Sequence, residues 1–322
     1  MDSQTIRLML GGLKSFLPAL RAEGYKGTAG TVSGAYCYSV WMRHQALIAK
    51  AVPDHRPKVV VELGPGDSVG VGCAALLSGV DRYIGLDVVD HLRPEHDLKV
   101  LDELVTLFER RAPIPNDKQF PNLEPKLRSY AFPKKLYADD APRQIRLDRD
   151  RVGAIRAVLL DERAAVLYDD KPLGYLAPWN DRSVDRESAD LVLTQSVLQD
   201  MANGDRASKL EQTFASMAKW LKRGGVMSHQ IDFSFPGGAE WNHHWRYSDA
   251  AWLMVRGNRP FFENREPLST YLELCEENGC EVVSVKRVER EGIPRERMAP
   301  RFRDLSEQDV RTAAAHIVAV KR

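Results

Sequence analysis

The chain's 322 residues are 43% hydrophobic and 28% charged, and 46 Lys+Arg against 45 Asp+Glu leave a formal net charge of +1. That length suffices for one large α/β domain with insertions or for two small ones. The balanced charge argues against a polycationic surface for nucleic acid, and the locally basic stretches 143–151 and 286–303 are interleaved with Asp148, Asp150, Glu289 and Glu296.

Ile6, Leu10, Leu13, Leu17 and Leu20 repeat at four-three spacing and predict a helix over about 4–22 with one apolar stripe. The stripe suits packing on the domain or on a second copy, so a homo-oligomer is one expectation. Arg7 and Lys14 interrupt this stretch, which is too short and too charged to span a bilayer or to act as a signal segment. No membrane insertion is expected, and a cytoplasmic location fits best. The four cysteines form no C-x-x-C pair, and Cys73 and Cys275 read as core thiols of a reducing compartment. A Gly/Thr-rich connection, 24–34, leads to a second helix over about 38–52. Tyr36, Tyr38 and Trp41 would give this extension, residues 1–56, aromatic contacts over a cleft; core packing is the plainer reading for Trp41.

The main domain, 57–322, begins with a strand over 58–63, a helix over about 68–78 and a strand over 82–88. An excursion over about 91–165 follows, with a helix at 97–110, a segment punctuated by Pro113, Pro115, Pro121, Pro125 and Pro133, and a charged helix near 150–162. Crossovers are usually far shorter, so this reads as an inserted cap subdomain that shapes a substrate pocket or serves structure or dimerisation. A third strand is expected near 165–176, a fourth over 189–194, a helix over about 206–221 stopped by Lys222-Arg223-Gly224-Gly225, and a fifth strand over 226–232. A helix over 267–278 stops at Gly279, and strands over 280–288 and 316–321 close the chain as a hairpin within about 280–322.

The most informative stretch is Val59-Val60-Val61-Glu62-Leu63-Gly64-Pro65-Gly66-Asp67-Ser68. Glycines directly after a buried strand let the backbone turn tightly beside a ligand. Asp87 ends the next strand, completing the first half of a nucleotide-cofactor site in a doubly wound fold. A dinucleotide fingerprint needs a third glycine where Val69 stands, and a pyrophosphate gains nothing from Glu62. A carboxylate suits a ligand carrying an ammonium group, as S-adenosyl-L-methionine does. Glu62-x-Gly64-x-Gly66 with Asp87 resembles motifs I and II of the class I S-adenosylmethionine-dependent methyltransferases, over about 57–91 and 165–322. The resemblance implies a Rossmann-like, mostly parallel α/β sheet whose last strand inserts antiparallel. It also implies that Glu62, Gly64, Pro65, Gly66 and Ser68 hold the methionine half of the cofactor and Asp87 the ribose. Val88 and the Trp179-Asn180 turn would lie by the adenine, with Gln195 and Ser196 at the end of the fourth strand.

Methyl transfer needs an aligned acceptor and, for an alcohol, a proton sink. Asp200, His229, Asp232 and His244 fall at the expected strand ends; His229 or His244 is the preferred base, with Asp232 orienting the imidazole. Trp241, His243 and Trp245, with Arg265 beyond them, mix flat apolar faces with polar nitrogens, as sugar sites do. A metal site lacks tight ligand spacing such as H-x-x-x-H, so no metal is assigned; a buried polar network ordering the loop is the bland alternative. Ser228-His229-Gln230-Ile231-Asp232 together with Trp241-Asn242-His243-His244-Trp245 and Asn264-Arg265 is similar to bacterial methyltransferases of surface-polysaccharide clusters. That similarity implies O-methylation of a glycan hydroxyl. A small-molecule acceptor methylated at oxygen or nitrogen, or a non-catalytic cofactor-binding partner subunit, are the alternatives.

Overall fold

Three consecutive valines start the first strand because a strand covered on both faces needs β-branched apolar residues throughout. In the computed structural model, which describes residues 3–17, 31–91, 93–137, 144–161, 171–201, 206–259 and 262–322, that strand is Val59–Leu63 (β1). Arg82–Leu86 (β2), Leu173–Leu176 (β3), Ala189–Gln195 (β4), Leu221–Asp232 (β5), Cys280–Glu289 (β6) and Thr312–Lys321 (β7) join it in one sheet of order β3-β2-β1-β4-β5-β7-β6. β1 to β5 are parallel, while β7 runs antiparallel between β5 and β6. This is the mostly parallel sheet with an antiparallel last strand that the class I resemblance implies. The order reverses between β1 and β4, so the ligand crevice of such a sheet falls where Leu63 and Thr194 end side by side.

Helices Gly34–Ala51 (α2), Gly70–Leu77 (α3), Pro94–Glu109 (α4) and Arg149–Leu160 (α5) share one hydrophobic cluster with Val60, Tyr83, Leu191 and Leu193 on one face of the sheet. Arg206–Trp220 (α6) and Leu268–Glu277 (α8) cover the other face, on Val61, Leu63, Val192 and Ile231. Every residue of α3 is buried, as its apolar sequence on all sides requires. The excursion after β2 shares the first cluster through Ile114, Leu123, Phe132 and Tyr137. Arg43 of α2 ties that segment down, donating to the carbonyls of Leu123 (3.3 Å), Pro125 (2.9 Å) and Pro115 (3.4 Å) and pairing with Asp117 at 3.5 Å.

Several local expectations change. Ser3–Lys14 (α1) packs on Asp249–Arg256 (α7), but with Gly12 and Ser15 rather than its leucine stripe. A Cβ on Gly12 would lie 1.9 Å from the Met254 carbonyl, so the two backbones touch there. Ile6, Leu10, Leu13 and Leu17 are exposed, and Leu20 lies outside the described residues. Lys222-Arg223-Gly224-Gly225 is not a helix stop: α6 ends at Trp220 and these residues enter β5, where Gly224 has φ +78°. The 2.8 Å Lys222–Asp190 ion pair holds this segment on β4 beside a register shift at Ala189/Leu191. β3 begins only at Leu173, and 165–170 of the expected third strand lie outside the described residues. All four cysteines are free and buried. No described helix is long and apolar enough to cross a membrane.

Candidate active site

Gly64 and Gly66 leave β1 with φ +70° and +75°, the left-handed region where a side chain is strained. A Cβ on Gly64 would sit 2.5 Å from Val197 Cγ2, so the turn and the loop after β4 come together only over a glycine. The turn is pinned on three sides. Gly66 N donates to Asp87 Oδ2 at 3.4 Å, Asp67 N to Thr31 Oγ1 at 2.9 Å, and Val69 N to Asp97 Oδ1 of α4 at 2.9 Å. Ser68 donates to the Thr31 carbonyl and is buried beside Cys37, so its hydroxyl braces the turn and does not face a cofactor.

Beneath the turn, Glu62 is 2% exposed. Its Oε2 accepts a 2.6 Å hydrogen bond from the Tyr83 hydroxyl, and no cation pairs with it among the described residues. Burial pushes its carboxyl up to about 8, with the nearby Asp87 charge adding to the shift while the Tyr83 bond opposes it. Asp87 is raised by burial too, although the Val88 and Gly66 amides favour its charged form. Val88 is partly exposed beyond it, and Trp179 N donates to the Asp87 carbonyl at 3.1 Å. The Trp179 indole packs edge-on against Trp220 at 5.6 Å, and Asn180 Oδ1 closes its own turn on Arg182 N.

At the end of β4, Ser196 adopts φ +54° and its hydroxyl donates to Gln230 Oε1 at 2.5 Å. Gln195 Nε2 donates to the same oxygen at 2.9 Å. Both residues line a cavity of about 230 Å³ roofed by Tyr36 of α2 and by 119–123 of the excursion. Tyr36 therefore does lie over the cleft, whereas Tyr38 and Trp41 are core residues bonded to the Ala112 carbonyl and to Ser78 Oγ. Under the floor lies a network that sequence spacing does not show. Gln195 Oε1 is 3.2 Å from His44 Nε2, His44 Nδ1 is 2.7 Å from Ser228 Oγ, and Ser228 Oγ is 3.0 Å from His316 Nε2. Residues of α2, β4, β5 and β7 meet there, so only the alternation of Ser228 and Gln230 on one face of β5 hinted at it.

The preferred bases are corrected by their surroundings. His229 points to the α6 face, fully buried against Phe214, with Nδ1 on Thr194 Oγ1 at 3.1 Å; burial pushes its imidazole down to about 3. Asp232 does not orient it, because residues three apart on a strand face opposite ways; Asp232 Oδ1 instead accepts from Ser234 N. His244 is buried among Phe235, Trp245 and Trp252 and held well below the usual imidazole range by burial and Arg265. Trp241, His243, Trp245 and Arg265 are interior as well, and not a sugar platform. Trp245 stacks on Phe302 at 5.4 Å, its Nε1 donates to the Arg265 carbonyl, and the Arg265 guanidinium lies 5.1 Å from both Trp252 and Phe302. His243 is enclosed by Glu240 and Tyr247, and Trp241 Nε1 donates to the Arg290 carbonyl. Aromatic rings this dense bury one another before they can offer a face to a ligand.

Asp200 is different. Burial, then the charges of Glu263 and Asp232, push its carboxyl up to about 7. Asn264 brings Glu263 there by docking its loop on the 198–200 turn, with N on the Gln199 carbonyl (2.7 Å) and Nδ2 on the Leu198 carbonyl (2.9 Å). The three carboxylates do not converge as metal ligands: no group of three or more His, Cys, Asp or Glu does so among the described residues.

The chain matches no protein-family model and no curated protein. Among solved structures it is similar to an S-adenosylmethionine-dependent methyltransferase from Methanosarcina mazei, at 10% identity and TM-score 0.42 over 85% of this chain and 96% of that one. It is similar to another from Mesorhizobium loti, at 15% identity and TM-score 0.41 over 88% and 98%. A third is phosphoethanolamine N-methyltransferase 2 of Haemonchus contortus in complex with S-adenosyl-L-methionine, at 12% identity and TM-score 0.40 over 91% and 58%. The fold rests on the strand order and register themselves, and likenesses this distant add no argument about activity.

Proposed function

We propose that this chain is an S-adenosylmethionine-dependent methyltransferase acting on a small molecule through a hydroxyl or amino group. The observation that carries the reading is Glu62, a buried carboxyl beneath a two-glycine turn with a neutral phenol as its partner. Such a group is unfavourable unless protonated or met by a cation, and the cofactor's ammonium is a cation of the right kind. Glu62 and the Gly64–Gly66 backbone would hold the methionine end, Asp87 the ribose, and Val88 with Trp179 would flank the base. Bound there, S-adenosyl-L-methionine supplies an electrophilic methyl group on a sulfonium.

The chain's own part is alignment and proton removal. Gln195, Ser196 and Tyr36 line the cavity beside the turn and would position the acceptor. Asp200, with a carboxyl near neutrality, would take the acceptor's proton, while Glu263 and Asp232 keep that carboxyl basic. A glycan hydroxyl loses its support as acceptor, because the Trp/His cluster that suggested it is interior. Calorimetry with S-adenosyl-L-methionine tests the reading. Binding that Asp87→Ala weakens at least tenfold supports it, and no binding to the folded protein would falsify it.

A further inference from the structure

A second cavity, of about 470 Å³, opens at the opposite end of the sheet, where the fold itself assigns no ligand. Its walls are Trp41 and Gln45 of α2, the 56–58 segment entering β1, the 78–81 turn between α3 and β2, and Gln144 with Arg146. The volume lies inside the roughly 300–1,000 Å³ range of small-molecule sites.

Three features point to a ligand. Gln45 is fully buried, yet neither its Nε2 nor its Oε1 has a hydrogen-bond partner among the described residues. Arg56 donates through one terminal nitrogen to the carbonyls of Pro53 (2.6 Å) and His55 (2.8 Å), while its buried Nε has no partner among the described residues. The charge is also unbalanced. Arg56, Lys58 and Arg146 face the single carboxylate Asp81, which already pairs with Arg146 at 3.3 Å. Buried donors and acceptors left unmet are costly, and a ligand that meets them recovers that cost as affinity.

We propose that this cavity binds a small polyhydroxylated metabolite bearing an oxyanion, either a phosphate monoester or a carboxylate. The oxyanion lies on Arg56, Lys58 and Arg146, and a hydroxyl of the same molecule meets the Gln45 amide. The site is separate from the glycine turn, so its test is independent of the methyl-transfer reading.

The Trp41 indole, which donates to Ser78 Oγ at 2.7 Å on the cavity wall, is the reporter. Ribose 5-phosphate and gluconate serve as the two anionic probes and ribose as the neutral one. The expected result is a saturable shift of the Trp41 indole resonance and a rise in Tm with at least one anion but not with ribose. The anion that binds identifies the oxyanion. Arg56→Gln combined with Lys58→Gln should weaken that binding at least tenfold. Gln45→Leu removes the unmet amide, so it should leave the ligand-free Tm unchanged or higher while abolishing the response. No saturable shift below about 10 mM, well beyond ordinary metabolite affinities, overturns the proposal. So does an equal response to ribose, or a full response in the Arg56/Lys58 variant; if Gln45→Leu does not fold, that double variant carries the test.

Discussion

The Tyr83 hydroxyl donates a 2.6 Å hydrogen bond to Glu62 Oε2 directly beneath the glycine turn. β1 and β2 are in register there, Glu62 opposite Gly85 and Val61 opposite Ile84, so the bond follows from strand pairing. With its carboxyl pushed up to about 8, Glu62 holds a proton at pH 7. A cation arriving above it displaces that proton. Calorimetry of S-adenosyl-L-methionine in buffers of different ionisation enthalpy should therefore show proton release near pH 7. Glu62→Gln should abolish the release and weaken binding by about ten- to a hundredfold, the ~1.5–3 kcal/mol of a hydrogen bond to a charged group. Unchanged release in that variant would remove Glu62 from the site.

Gly64→Ala combines a φ of +70° with a 2.5 Å approach to Val197 Cγ2. The strain should cost about 1–3 kcal/mol of stability in denaturant unfolding. Adding Val197→Ala should recover the clash but not the φ strain, giving a favourable coupling in the double-mutant cycle. Strict additivity would mean that turn and loop do not touch.

Asp200 and the buried histidines separate chemistry from packing. Asp200→Asn should lower turnover by about a hundredfold or more, the scale of general-base loss, with cofactor affinity little changed. His229→Ala and His244→Ala should each cost about 2–4 kcal/mol of stability as core truncations and keep turnover per folded molecule. S-adenosylhomocysteine formed with an acceptor drawn from an alcohol and amine panel is the readout. Full activity in Asp200→Asn, or its loss in stably folded His229→Ala, would reverse the assignment.

Stability should depend on pH in two opposed ways. Folded Glu62 titrates at about 8 against 4.5 for a free carboxyl, and Asp200 at about 7 against 3.8. The folded chain thus keeps protons that the unfolded chain has released, and stability falls as pH rises toward 8. Folded His44 titrates at about 4 and His229 at about 3, against 6.5 when unfolded. There the unfolded chain binds more protons, so stability falls as pH drops below 6.5. With these four groups the two effects balance between about pH 4.5 and 6.5, so ligand-free urea midpoints should be highest there and decline by pH 8; a midpoint rising from pH 7 to 8 would contradict the buried acids.

How far the site was legible depended on whether its parts are local. Glu62, Gly64, Gly66 and Asp87 lie on two adjacent strands, and a β-rich run ending in glycines has few other conformations open to it. The base was not legible, since the residues near His229 in sequence say little about its exposure. Strand alternation puts His229 and Gln230 on opposite faces, and the helix layers decide which face opens to a cleft. The same holds for Trp241 to Trp245, which read as a ligand platform until Phe302 and Arg265, distant in sequence, close over them.

By itself, then, the sequence determined the strand-turn-helix frame and its two acids, because hydrophobic period and glycine dihedrals act over a few residues. Only the tertiary structure decided that Asp200 is perturbed and partly open, that His44, His229, His243, His244 and His316 are interior, and that Gln45 faces an unassigned cavity. Burial and electrostatic coupling depend on residues brought together from far along the chain, and no local pattern encodes them.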